Sequence, residues 1–106
     1  MKIYNKKTKW LDEKIGNIYA ILPTYEEYER GEVDNNILES DYFKILISEI
    51  ISYDDLMFNG DILKVAIKLN ILKQKDNQNH KFVRKIVLDC LEIITAEREL
   101  ILNDVD

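Results

Sequence analysis

The segment NHKFVRKIVLDCLEIITAERELILN, residues 79–103, decides the fold class of this chain. Its apolar residues recur every three or four positions, which is the period of an amphipathic α-helix. Asn79 can cap the start of this helix and Asn103 can end it. The apolar stripe consists of Val83, Ile86, Val87, Cys90, Leu91, Ile94 and Ile101. The sequence therefore predicts a long helix that buries one face.

A second helix is predicted to begin after Ser40, which is a favourable N-cap and is followed by Asp41 in the first turn. Its apolar stripe consists of Phe43, Leu46, Ile47, Ile50 and Ile51. A straight continuation would place Asp54 at the centre of that stripe. Because a lone buried carboxylate is costly, we expect the helix to break there.

Capping signals predict two further helices after this break. Ser52 and Asp55 resemble a capping box, which predicts a short new helix that ends at Asn59-Gly60. Asp61 is then predicted to cap a helix that extends to about Lys73.

A similar signal follows Pro23. Thr24 and Glu27 form another capping-box pattern, which predicts a short helix from Tyr25 to Arg30. Gly31 is the expected stop of this helix. The polar stretches 32–36 and 75–80 are predicted to be loops.

Residues 1–22 allow two interpretations. Leu11, Ile15, Ile18 and Leu22 suit a helix capped by Thr8, which we favour. The β-rich run from 17 to 22, paired with residues 1–5, would instead form a hairpin. Similarly, residues 67–71 alternate like a strand and could pair with Phe82-Val83 in a winged hairpin. The regular stripe of the last helix argues against this wing.

The composition is typical of one globular domain. The chain has 106 residues, of which 46% are hydrophobic and 33% charged, and this size is sufficient for a single core. One proline and three glycines leave few turn signals for an all-β fold. We therefore predict an all-α fold, a compact single-domain bundle of four to five helices spanning residues 1–106.

Charge is divided unevenly along the chain, although the formal net charge is only −5. Residues 12–61 contain thirteen acids and three bases, whereas the first eleven residues contain four lysines and no acid. A local block of negative charge repels nucleic acid and membrane surfaces and attracts basic partners. The sequence contains no apolar run long enough for a signal peptide or a membrane span, so we expect a cytoplasmic protein.

The residues that usually carry chemistry are few. His80 is the only histidine and Cys90 the only cysteine, which argues against a zinc site of the usual kind. We expect His80 to be an exposed residue at a helix start and Cys90 to pack in the core. The three glycines are isolated from each other, so no phosphate-binding loop is evident. The sequence thus predicts no enzyme, no cofactor and no metal site.

The segment YEEYERGEVD, residues 25–34, combines tyrosines with carboxylates. Tyrosine is favoured at binding surfaces, and carboxylates can receive Lys or Arg side chains from a partner. The candidate partner-binding residues are Tyr25, Glu26, Glu27, Tyr28, Glu29, Glu32 and Asp34. The alternative is that both tyrosines lie on the core and that the acids are simply solvated.

A basic stretch is the main rival to the acidic segment as a functional surface. It comprises Lys64, Lys68, Lys73, Lys75, Lys81, Arg84 and Lys85. These side chains could contact phosphates, but only Phe82 offers a ring for stacking. They could equally form a solvated face that balances the acidic half within the chain or across a dimer.

Small size, net acidity, a tyrosine-bearing acidic segment and the lack of catalytic motifs resemble the immunity and antitoxin class of bacterial inhibitors. The resemblance is limited to these general properties, and the chain shares no sequence motif with such inhibitors. It implies a compact protein that neutralises one basic toxin, often a nuclease, by occluding its active site. The alternatives are a phage inhibitor of a host defence nuclease, a small DNA-binding transcription regulator using residues 62–88, and a homodimer that pairs acidic and basic halves.

Overall fold

The computed structural model describes residues 6–103, which are helical apart from short connections. Its elements are α1 (Lys6–Glu29), α2 (Asp41–Tyr53), α3 (Leu63–Ile71) and α4 (His80–Asn103). Single turns of 3₁₀-helix lie at Ile37–Glu39 and Lys75–Asn77, and a π-helical turn lies at Asp54–Phe58. No strand occurs between residues 6 and 103. The prediction of an all-α fold with four to five helices is confirmed.

The four helices form an antiparallel bundle. Ion pairs join Asp12 to Arg98 and Glu26 to His80, so α1 and α4 run in opposite directions along their shared length. Helix α2 runs back along α1, and α3 packs against both α2 and α4. This up-down-up-down arrangement follows from short connections between neighbouring helices.

The core is formed by the apolar stripes that the sequence indicates. From α4 it includes Val83, Ile86, Val87, Cys90 and Ile94, as predicted. The other buried apolar residues are Leu11, Ile18, Ile21, Leu22, Tyr25, Leu38, Phe43, Leu46, Ile47, Ile50, Phe58, Ile62, Val65, Ala66, Leu69 and Leu72. Ile51, which the α2 stripe also included, is instead exposed.

Helix α1 differs from the sequence analysis at three points. Residues 17–22 are helical, so the hairpin is wrong for that segment, and its proposed partner strand lies outside the described residues. Thr8 is buried inside α1 and does not cap it. The helix also continues through Pro23, where a new helix was predicted to start. The Thr24 hydroxyl donates to the Ala20 carbonyl at 2.8 Å rather than capping.

The end of α1 agrees with the prediction. Gly31 has a φ of 77°, a left-handed conformation that glycine adopts readily. Its N–H donates to the Tyr28 carbonyl, and the Glu32 N–H donates to the Glu27 carbonyl. These two bonds form a Schellman motif, which satisfies carbonyls at the helix end.

The segment after α2 differs from the prediction. Asp54 is buried rather than excluded from the core, and Ser52 lies within α2 without capping a new helix. The chain instead widens into the π-helical turn, which ends at Asn59 and Gly60 in left-handed conformations, as predicted. Asp61 makes no capping bond to α3.

The winged hairpin is also wrong. Residues 67–71 belong to α3 and residues 82–83 belong to α4. Helix α3 ends at Ile71, two residues earlier than predicted. The Asn79 cap is confirmed, because its side-chain oxygen accepts a bond from the Phe82 N–H at 3.0 Å.

Candidate protein-binding surface

The acidic segment lies at one end of the bundle, where α1 stops and the chain turns toward α2. Glu27, Glu29, Glu32 and Asp34 are exposed, and Glu26 and Tyr28 are half-buried. We refer to these six residues as the acidic surface. The structure therefore brings six of the seven predicted partner-binding residues to the same end of the molecule.

Tyr25 is the exception, because its side chain belongs to the core. It is only 2% exposed and packs beside Tyr28, with ring centroids 6.1 Å apart. Burial, together with the neighbouring Glu29 carboxylate, raises the pKa of Tyr25 to about 12. The sequence left open whether the two tyrosines lie on the core or at a binding surface. Tyr25 lies in the core, whereas Tyr28 keeps part of its ring at the surface.

Two carboxylates of the acidic surface have side-chain hydrogen-bond partners. Glu26 Oε2 lies 2.6 Å from His80 Nε2 at the start of α4. Arg30 donates to both oxygens of Glu32, at 2.9 and 3.1 Å. The hydrogen bond from Arg30 lowers the pKa of Glu32, so this carboxyl stays ionised while its charge is balanced.

The other three carboxylates form no ion pair with the described residues, although Glu29 interacts with the Tyr25 hydroxyl and Glu27 attracts the Arg30 guanidinium. Within residues 6–103, no ion pair joins Glu27, Glu29 or Asp34 to a cation. Glu27 and Glu29 occupy the last turn of α1, which contains no basic residue. The carbonyl end of a helix is negative, so each carboxylate there costs about 0.3–1 kcal/mol of stability.

A polar cleft at this end of the bundle includes Asp34. It is lined by Tyr28, Asp34, Asn35, Asn36, Glu39 and Ser40. The Asn36 side chain forms the floor and is fixed by bonds to the Leu38 N–H and to the Gln78 side chain, at 3.0 and 2.8 Å. With Asp34 and Glu39 on its walls, this cleft is suited to a lysine or arginine side chain.

The Asn36–Gln78 bond also brings the basic stretch close to the acidic surface. Gln78 belongs to the connection between α3 and α4, and exposed bases flank it on both sides. These are Lys73, Lys75, Lys81, Arg84 and Lys85. Asp89 binds Lys85 at 3.1 Å and Lys68 at 3.8 Å. Acidic and basic regions thus meet at one end of the bundle.

His80 and Cys90 agree with their predictions. His80 is exposed at the start of α4, although sequence reasoning missed its pairing with Glu26. Cys90 is buried, which raises the pKa of its thiol to about 12. In the part of the chain that the structure describes, no group of three or more His, Cys, Asp or Glu side chains could hold a metal ion.

Sequence reasoning also missed a buried ion pair between α1 and α2. Lys14 is 4% exposed, and its Nζ lies 2.5 Å from Glu49 Oε1 and 3.4 Å from Glu13 Oε1. Burial lowers the pKa of Lys14, but the hydrogen bond and the charge of Glu49 outweigh this effect and raise it above the ordinary value. The sequence does indicate that Lys14 is buried, because Lys14 falls on the apolar stripe between Leu11 and Ile18.

Comparison of the chain with protein-family models, with curated proteins and with solved structures found no match. Among the helices of residues 6–103, none has the length and apolar character needed to cross a membrane.

Proposed function

We propose that this chain is an immunity-type inhibitor that binds a basic protein toxin, a nuclease, through the acidic surface. The observation that carries the proposal is the exposed charge of Glu27, Glu29 and Asp34, none of which forms an ion pair within residues 6–103. Two of these carboxylates oppose the dipole of α1, and all three are exposed. Since none of the three forms an ion pair within residues 6–103, their carboxylates are available to the basic side chains of a partner.

The mechanism is occlusion of a cationic site. A nuclease holds phosphates with Lys and Arg side chains, and carboxylates at comparable spacing can occupy the same positions. The cleft beside Tyr28 offers a place for one such basic side chain, with the half-buried ring as an apolar wall. Substrate RNA or DNA is then excluded because the same cations are already engaged.

Electrostatic steering supports fast binding. The carboxylates attract a basic partner before contact, which raises association above the ~10⁵–10⁶ M⁻¹s⁻¹ of uncharged proteins. Salt should therefore slow association strongly and change dissociation less.

The test combines capture with an activity assay. The tagged chain is incubated at low salt with nuclease-treated lysate of its source cells, in parallel with the variant Glu27→Lys/Glu29→Lys. A matched control, Asp61→Lys/Glu92→Lys, changes the net charge equally at exposed residues elsewhere. Bound proteins are identified by mass spectrometry, then assayed for nuclease activity with and without the chain.

We expect one basic partner that binds the unmodified chain and the control, is released by high salt, and loses its nuclease activity when bound. Identification of that partner as a host defence nuclease would point to the phage inhibitor instead of an immunity protein. Equal capture by the Glu27→Lys/Glu29→Lys variant would reject the acidic surface as the binding site.

A further inference from the structure

An aromatic cleft lies at the end of the bundle opposite the acidic surface, between the start of α1 and the π-helical turn. It is lined by Lys6, Lys9, Trp10, Glu13, Tyr53 and Met57. Trp10 and Glu27 are 17 residues apart in α1, so about 26 Å of helix separates this cleft from the acidic surface. The two sites are therefore independent.

The floor of the cleft is a fixed aromatic cluster. The Trp10 ring packs against Tyr53 with centroids 4.8 Å apart, and against Phe58 at 5.6 Å. Trp10 and Met57 are half-buried, and Leu56, next to Met57 in the chain, is 75% exposed. Trp, Tyr and Met are enriched where proteins bind each other, and Met adapts to side chains of different shape.

The wall of the cleft is an unusual backbone element. The π-helical turn carries Leu56 and Met57, and such turns occur frequently at functional sites. The buried Asp54 carboxylate accepts the Ile62 N–H at 2.9 Å and so fixes the end of this turn against α3. The cleft is thus preformed, which reduces the entropy lost on binding.

The rim of the cleft is positive. Lys6, Lys7 and Lys9 are exposed, and no ion pair involves them within residues 6–103. Its one carboxylate, Glu13, lies 3.4 Å from the Lys14 ammonium. Physiological salt screens charges beyond about 8 Å. The electrostatic potential at the rim is therefore set by these lysines rather than by the net charge of −5.

We propose that this cleft binds an acidic peptide segment of a partner protein, which packs an aliphatic side chain onto the surface formed by Trp10, Tyr53 and Met57 while its carboxylates contact Lys6 and Lys9. The concave, half-buried floor favours a side chain over a flat membrane. It also disfavours a nucleic-acid base, because the Trp10 ring already packs against two other rings.

Trp10 provides a direct test, because it is the only tryptophan of the chain. The probe is a synthetic peptide without aromatic residues, in which leucine and methionine are flanked by aspartate and glutamate. Titration of the intact chain should give a saturable change in tryptophan fluorescence. A peptide with both apolar residues replaced by serine should bind at least about tenfold more weakly.

Charge-reversal variants test whether the lysines at the rim of the cleft contact the acidic peptide. Lys6→Glu/Lys9→Glu should weaken binding of the acidic peptide at least about tenfold, whereas Lys73→Glu/Lys75→Glu, with the same change in net charge at other exposed lysines, should leave it unchanged. Circular dichroism verifies that both variants are folded. Loss of binding in both variants would indicate a nonspecific charge effect and overturn the proposal.

Three other outcomes would also overturn it. The first is the absence of any saturable change with the acidic peptide. The second is equal binding of the serine peptide. The third is a fluorescence change produced only by anionic phosphatidylglycerol vesicles or by a single-stranded oligonucleotide, which would assign the cleft to a membrane or to nucleic acid.

Discussion

The carboxylate of Asp54 accepts a 2.9 Å hydrogen bond from the backbone N–H of Ile62, and both residues are buried. The bond joins the π-helical turn to the start of α3. It explains how a carboxylate is tolerated in the apolar stripe of α2, because its charge is stabilised by a backbone donor that would otherwise be unsatisfied.

Asp54→Ala should destabilise the protein by about 1–3 kcal/mol, because it leaves the buried Ile62 N–H without an acceptor. Asp54→Asn keeps an acceptor oxygen and should therefore lose less stability than Asp54→Ala. Urea denaturation followed by far-UV circular dichroism measures both changes. Equal losses in the two variants would show that the hydrogen bond to Ile62 is not the source of the effect.

Glu49→Gln should destabilise the protein more than Lys14→Met, because the glutamine variant leaves a buried ammonium without its nearest carboxylate. Glu49 is 43% exposed, so water screens the pair and we expect about 1 kcal/mol rather than the 3–5 kcal/mol of fully buried pairs. The pKa of Lys14 is raised above its ordinary 10.5. The stability from this pair is therefore present below pH 10.5 and lost as the pH rises through the raised pKa.

Urea titrations at neutral pH and above pH 10.5 test this pair. The difference between the unmodified chain and Glu49→Gln should narrow at the higher pH. If Lys14→Met is less stable than Glu49→Gln, the unpaired buried ammonium is not the main source of the destabilisation.

Glu27→Lys should stabilise the fold by about 0.3–1 kcal/mol, because it replaces a carboxylate by a cation at the negative end of α1, and water screens the attraction to the exposed Arg30 that is lost. The same change should weaken binding of the partner. Thermal unfolding at low and high salt measures the gain, which should shrink as salt screens the dipole. A lower melting temperature would show that Glu27 supports the fold.

Cys90 should react with a thiol reagent only when the protein unfolds. Its side chain is buried and the pKa of its thiol is raised to about 12, so the reactive thiolate is scarce and inaccessible. Since no other cysteine is present, the rate of modification in increasing urea reports directly on unfolding. Rapid modification of the native protein would place Cys90 at the surface.

Tyr25→Phe should reduce the loss of stability at high pH. The pKa of Tyr25 is raised to about 12 in the folded protein, compared with about 10 in an unfolded chain. The preference for the neutral phenol is fully present below pH 10 and is lost as the pH rises to about 12. Urea titrations from pH 9 upward should therefore show a smaller decline for the variant, and parallel curves would indicate that Tyr25 ionises normally.

The sequence by itself determined the helices that have a regular apolar stripe. Val83, Ile86 and Cys90 in α4, and Phe43, Leu46 and Ile50 in α2, are buried where their spacing predicts. The local signals at Ser40, Gly31 and Asn79 also hold, because each depends on hydrogen bonds within a few residues. Periodicity and capping are short-range properties, and a single sequence contains them.

Only the tertiary structure decided the features that depend on distant residues. Pro23 does not end α1, since Ile21, Leu22 and Tyr25 are buried together against the rest of the bundle. Asp54 enters the core because Ile62 supplies a donor, and Lys14 does so because Glu49 reaches it from α2. Likewise, the aromatic cleft joins Trp10 to Tyr53 and Met57 across two helices. Helix propensity is worth tenths of a kcal/mol for most residues and about 3 kcal/mol for a proline, whereas each buried apolar side chain contributes about 1.5–3 kcal/mol, so burial of several such side chains outweighs local propensity.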